Sequence, residues 1–285
     1  MALPSDPTST TITDPTPTFS PKQYNTFATS YDHARGIPTL HVETANLRSA
    51  VTPFIHNARV LDLACGTGYY SRKLLSWGAA SVVGVDVSEG MIAVAKEGLN
   101  YTEDKGRLEF RVGDARDLGV VGRGEYDLVT AVWLLNYARD EKEMRGMFEG
   151  IAGNLKEGGR FMGITLCPVK REEMDGLKGR MDGIREAKVR SWGVDVRYHE
   201  ERLKGGGWGV TTDGGDVVKF VEFHLPMEVY EDSARKAGFK GAVEWREVVL
   251  EGEDREVAVE EAGMEFFDEY FGILGPHFGL LVVEK

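Results

Sequence analysis

The apolar positions of this 285-residue chain fall into short continuous runs, separated by helix-length segments of mixed character. Runs at 59–64, 81–86, 108–113, 126–132 and 159–166 predict strands. Their cores are unbroken rather than alternating, the pattern of a parallel sheet covered on both faces. Between them, 69–77, 88–98 and 140–155 predict helices. Ser88, ahead of Glu89-Gly90-Met91, stands where a side-chain oxygen caps a helix start. Lys156-Glu157-Gly158-Gly159 closes another helix with glycine. The alternation predicts an α/β fold.

Before the first strand, 22–35 and 38–52 read as two helices. Gly36-Ile37-Pro38 parts them, because proline disfavours helix in the residue before it. Beyond the fifth strand the pattern loosens. Residues 170–190 are charged and helix-compatible, and Asp213-Gly214-Gly215-Asp216 predicts a turn between short strands. Pro226 to Ala237 reads as a helix stopped by Gly238, and 242–250 and 279–283 read as strands. The segment 170–224 leaves the sheet at its carboxyl edge, where open α/β sheets bind ligands, and reads as a lid or substrate-recognition insert. Residues 1–21 carry Pro4, Pro7, Pro15, Pro17 and Pro21 among threonines and serines, and read as a flexible tail ahead of one domain, 22–285.

The formal net charge is −12 and there is no dense Lys/Arg run. A nucleic-acid partner is not expected, because phosphate binding needs a basic surface. No run approaches ~20 apolar residues, so no membrane span is expected. An apolar signal core is also missing from the N-terminus, and Cys65 and Cys167 stand far apart. Together these predict a cytoplasmic protein with neither a disulfide framework nor a zinc site. The six histidines show no metal-ligand spacing.

The chemistry starts at Val60-Leu61-Asp62-Leu63-Ala64-Cys65-Gly66-Thr67-Gly68-Tyr69-Tyr70, where a strand enters a glycine turn and a helix follows. Bare backbone there admits a polar cofactor at the carboxyl end of a strand. Asp86 ends the second strand, Gly113-Asp114-Ala115 ends the third, and Val132-Trp133 ends the fourth. A dinucleotide site fits less well: the Gly-x-Gly-x-x-Gly fingerprint needs glycine where this chain has Ser71. Asp62 also suits an ammonium better than a pyrophosphate.

With these four motifs in order, the chain resembles the class I S-adenosylmethionine (SAM)-dependent methyltransferases, closely over 59–166. Trp133-Leu134-Leu135-Asn136-Tyr137-Ala138 resembles the branch that methylates small metabolites, many of them in secondary metabolism. The resemblance implies a seven-stranded, mostly parallel Rossmann-like sheet with helices on both faces, closed by 242–250 and 279–283 as a reversed pair. It implies SAM as cofactor and S-adenosylhomocysteine as product. The Gly66-Thr67-Gly68 turn, with Ala64 and Asp62, would meet the amino-acid end. Asp86 would take both ribose hydroxyls, since two bonds to one charged acceptor are strong and directional. Val87 and Met91 would pack on adenine, Asp114 and Ala115 would bond its edge beside Gly113, and Val132 and Trp133 would flank the methionine portion. Tyr24 and Tyr31, seven apart on one helical face, lie in a segment resembling one that folds over the cofactor.

Methyl transfer needs acceptor, methyl and sulfur in line, with water excluded. A phenol, enol or thiol acceptor also needs a base. His224, His33 and Tyr137 are the leading candidates, with Asn136, Glu222, Tyr198 and His199 behind them. Trp133, Tyr137 and Phe220 would wall a pocket for a small organic molecule. Two alternatives stay open: a SAM-binding protein with another activity, and a subunit that stabilises a partner.

Overall fold

The computed structural model describes Tyr24, Asn25, Ala28 and residues 38–99, 106–116, 124–186, 195–213 and 219–285. The expected tail and the expected helix over 22–35 lie outside these, apart from Tyr24, Asn25 and Ala28. The order opens with α1 (Thr39–Val51), β1 (Arg59–Leu63), α2 (Tyr69–Ser76), β2 (Ser81–Asp86), α3 (Glu89–Glu97), β3 (Leu108–Val112), β4 (Tyr126–Val132), α4 (Glu141–Asn154) and β5 (Leu155–Leu166). It continues with α5 (Met174–Glu186), β6 (Asp195–Arg202), β7 (Trp208–Asp213), β8 (Lys219–His224), α6 (Met227–Lys236), β9 (Val243–Arg246), α7 (Gly252–Ala262), α8 (Met264–Glu269) and β10 (Phe278–Glu284).

Seven strands form one sheet in the order β3-β2-β1-β4-β5-β10-β9. Apolar runs make its centre: Val60, Leu61 and Leu63 of β1 and Val129 and Ala131 of β4 are fully buried, as strands covered on both faces require. Pairing is parallel from β3 through β5, and β10 is antiparallel to both β5 and β9. The closing pair is therefore present, but only β10 runs against the sheet.

Ser88 caps α3 by accepting from the Met91 amide at 3.1 Å, and Asp140 caps α4 through the Glu143 amide at 2.9 Å. The helix at 140–155 passes directly into β5, so that strand starts earlier than its apolar core suggests. Gly158, at φ +73°, turns the chain there and the register with β4 shifts.

Two expectations were too long or too sparse at the C-terminal end. The strand over 242–250 is cut to Val243–Arg246, and α7 and α8 had no sequence counterpart. α7 is mostly charged and buries little beyond Ala258, so no apolar stripe marks it.

The insert is a second structure in its own right. Helix α5 leads into a three-stranded antiparallel sheet, β6-β7-β8. The expected turn at Asp213-Gly214-Gly215-Asp216 lies outside the described residues, apart from Asp213 at the end of β7. His224, at the end of β8, ties this sheet to the main one by a 2.8 Å bond to the Cys167 carbonyl, just past β5.

Candidate active site

A cavity of about 300 Å³ opens at the carboxyl edge of β1, β2, β3 and β4 and extends under the insert. Two non-glycine residues hold left-handed backbone at its rim, Ala64 at φ +53° and Trp133 at φ +62°. Such conformations cost of order 1–3 kcal/mol and persist where the surroundings impose them. They turn the chain out of β1 and β4 and leave the strand ends open to the cavity.

The glycine turn divides in two. Gly66 has φ +55°, lines the cavity, and would meet nothing within 4 Å if it carried a Cβ. Space for a ligand therefore lies over its backbone. Gly68 has φ +82°, and a Cβ there would stand 2.5 Å from the Phe110 ring. Gly68 and the buried Thr67 are not in the cavity wall, which corrects their expected ligand contact. Gly68 serves the packing of β3 against the turn. The Thr67 carbonyl accepts from Arg72, which also bonds the Ala95 carbonyl of α3, both at 2.8 Å.

The three acids take different partners. One Asp86 oxygen accepts from the Gly66 amide at 2.8 Å, and the other from the Ser88 amide at 2.9 Å. Burial pushes its carboxyl up, and the backbone donors oppose that shift. Each oxygen keeps acceptor capacity toward the cavity. Asp62 is 1% exposed and accepts from Ser71 at 2.6 Å and Thr130 at 2.9 Å, joining β1 to α2 and β4. Asp114 is gripped by Arg116, whose guanidinium bonds both oxygens and holds the carboxyl below its usual range. Arg116, beside the position expected for adenine, also lines the cavity and was missed by sequence reasoning. An arginine two residues past an acid looks like any surface pair.

Ala64, Val87, Met91, Gly113, Ala115 and Val132 also line the cavity. Trp133 does too, with its indole N–H donating to Glu43 at 3.1 Å and its ring stacked on His277 at 5.5 Å. Glu43 of α1 and His277, just before β10, lie far from the motifs in sequence, and neither carries a local signal. Burial lowers the His277 pKa to about 3, so its ring is neutral.

Under the insert, Tyr24 and Tyr137 join hydroxyl to hydroxyl, and Tyr24 packs 6.2 Å from Phe220. Asn136 and Thr212 each donate to one oxygen of Glu222, both at 2.8 Å. Burial pushes the Glu222 carboxyl up to about 7.

The expected base His224 is corrected. It is 1% exposed and absent from the cavity wall. One ring nitrogen meets the Cys167 carbonyl and the other the Tyr198 hydroxyl, each at 2.8 Å. The first must donate, so the second accepts. Burial lowers its pKa to about 4, and the neutral ring has no lone pair left for a substrate. His199 bonds Thr211 and is likewise outside the wall. Tyr31 and His33 lie outside the described residues. Among the described residues, no cluster of His, Cys, Asp and Glu suits a metal ion, and no helix is long and apolar enough to cross a membrane.

Known proteins share this layout. A family profile described as a methyltransferase domain matches residues 60–159. A demethylmenaquinone methyltransferase of Leptospira interrogans is 31% identical over 157 residues, 53% of this chain and 62% of that protein. The chain thus spans under two thirds of that relative. A ubiquinone biosynthesis O-methyltransferase of Xanthomonas axonopodis is 31% identical over 109 residues, 38% of this chain and 43% of its own length. The crystal structure of a SAM-dependent methyltransferase from Mesorhizobium loti superposes with a TM-score of 0.54 at 19% identity. The match covers 84% of this chain and 96% of the other, a likeness of fold. Residues 60–159 thus match a methyltransferase domain, and the seven-stranded sheet that holds them shares its fold with that structure.

Proposed function

We propose that this protein transfers the methyl group of SAM to a small organic acceptor. One observation carries the reading: a single cavity joins the Gly66–Asp86–Asp114 end of the sheet to the Tyr137–Phe220–Glu222 end under the insert. A donor and an acceptor can therefore lie in line within one enclosure, where orientation supplies most of the catalysis.

The residues fit SAM. Bare backbone at Gly66 and the open space above it admit the amino-acid end. Asp86 offers one acceptor per oxygen to the ribose diol, and its two backbone bonds fix the carboxylate in place. Met91 and Ala115 give apolar contact for the adenine ring, and Asp114 an acceptor for its amine once Arg116 releases one of its oxygens. When bound, SAM supplies an electrophilic methyl group on a sulfonium. The protein's own part is to bind, orient and keep water out. Trp133 and the Tyr24–Tyr137 pair close the middle and far end of the enclosure.

The aromatic walls suit a planar acceptor. That agrees with relatives named demethylmenaquinone methyltransferase and ubiquinone biosynthesis O-methyltransferase. A cavity of about 300 Å³ is in the range of small-molecule sites. Methyl release from labelled SAM, with the purified chain alone and a panel of phenolic, quinol and amine acceptors, tests the reading. Turnover with at least one small acceptor is expected. Tight SAM binding with no turnover on any acceptor, but turnover when a protein is added, would contradict the small-molecule assignment.

A further inference from the structure

The end of the cavity under the insert contains a buried carboxylate, Glu222. Glu222 is 4% exposed, lies on β8 and forms part of the wall. Its two oxygens accept from neutral donors, the Thr212 hydroxyl and the Asn136 amide. The titratable groups that feel its charge are phenols from three directions: Tyr137 after β4, Tyr198 on β6 and Tyr230 on α6. No cation among the described residues contributes to its titration. By contrast, Asp114 has Arg116.

A buried carboxylate without a cation is costly, and a fold that needed only packing would place an amide or an apolar group there. The two neutral donors hold the carboxylate in one orientation without neutralising it. In the cavity wall beside Tyr137 and Phe220, such a carboxylate can accept a proton from a bound molecule. Asn136 belongs to the segment after β4, beside Trp133 and Tyr137, and so links Glu222 to the middle of the cavity.

We infer that Glu222 takes the proton of the acceptor, and that the acceptor presents a hydroxyl on a planar ring or enol. The inference rests on the methyl-transfer reading of the same cavity. As the acceptor oxygen bonds to the methyl carbon, the carbon–sulfur electron pair leaves with sulfur. The hydroxyl proton passes to a Glu222 oxygen, so charge and atoms balance. A neutral amine attacks through a lone pair it already has and needs no base at that moment. An ammonium would instead stand against Glu222 as a fixed ion pair. A hydroxyl oxygen becomes a strong nucleophile only as its proton departs, which an unpaired carboxylate provides. The rings of Tyr24, Tyr137 and Phe220 give the flat walls that such an acceptor stacks on.

Calorimetry on protein saturated with S-adenosylhomocysteine tests this, with para-cresol, toluene and benzylamine as probes on wild type and Glu222→Gln. Para-cresol is expected to bind wild type about 10-fold more tightly than the variant, the difference between a charged and a neutral hydrogen-bond acceptor. Toluene should bind both equally. The cresol advantage should grow as pH rises through about 7 in wild type and stay flat in the variant. Equal cresol affinity for both proteins, or no cresol binding to the loaded wild type, overturns the assignment to Glu222. A benzylamine preference lost in the variant overturns the hydroxyl and assigns an amine. Failure of S-adenosylhomocysteine to bind wild type overturns the methyl-transfer reading itself, and this inference with it. Because S-adenosylhomocysteine binding is measured on both proteins, an unfolded variant is recognised directly. The pH profile of the wild type needs no variant.

Discussion

At the end of the cavity made by β1, β2 and β3, polar groups are fixed by partners from the strands and turns of the sheet itself. Asp86 is held by Gly66 and Ser88, and Asp114 by Arg116. At the end made by the insert, partners come from far away. Tyr24 meets Tyr137, Asn136 meets Glu222, and His224 meets Cys167. The first end is set by the local strand–turn–helix geometry of the sheet. The second exists only once the insert has docked.

The contrast predicts how variants divide. The largest loss is expected at Gly68→Val, where the side chain meets Phe110 and the backbone is left-handed. A cost of roughly 4 kcal/mol is expected, from strain and overpacking together. Chemical denaturation measures it, and Phe110→Ala should recover part of it. Gly66→Ala sharpens the distinction: about 1 kcal/mol of stability from φ alone, but loss of SAM binding because the new methyl group stands in the cavity. Equal effects at the two glycines would break the division of the turn.

Next in size is Asp62→Ala. It leaves the Ser71 and Thr130 hydroxyls without their buried acceptor. The expected cost is roughly 3 kcal/mol. If SAM binding falls while stability holds, Asp62 acts on the ligand rather than on the junction of β1, α2 and β4.

The insert end should announce itself through pH. The Glu222 carboxyl is raised from 4.5 to about 7 in the fold. Its contribution is thus fully present below the unfolded value and lost as pH rises through about 7, up to roughly 3 kcal/mol. Glu222→Gln should therefore raise the melting temperature at about pH 8 and change little near pH 4. His224 works the other way. Its pKa falls from 6.5 to about 4, so its contribution is present above 6.5 and lost as pH falls toward 4. His224→Phe should flatten the acid side of the stability profile. It should also cost about 2 kcal/mol at neutral pH through its two lost bonds, with SAM affinity unchanged. A large loss of SAM affinity would contradict the separation of the two ends.

The same contrast explains what the sequence revealed. The strand runs, the Ser88 cap and the positions of Asp86 and Asp114 are local features, and periodicity and spacing expose them. The Gly68 role was hidden because Phe110 reaches it from another strand. Glu43 and His277, which meet at Trp133, carry no pattern at all. His224 stood among the leading base candidates. Its true partners are a backbone carbonyl and a tyrosine 26 residues away, which no spacing shows. Glu222 stood only among the secondary candidates, because its burial and its Thr212 and Asn136 partners come from the folded insert.

The central claim is that the sheet edge at Asp86 holds SAM. Calorimetry with SAM and S-adenosylhomocysteine on wild type and Asp86→Ala tests it most directly. The account predicts micromolar binding by wild type and, with two charged hydrogen bonds removed, roughly 100-fold weaker binding by a folded Asp86→Ala. Failure of wild type to bind either ligand, or equal affinity in both proteins, would contradict it.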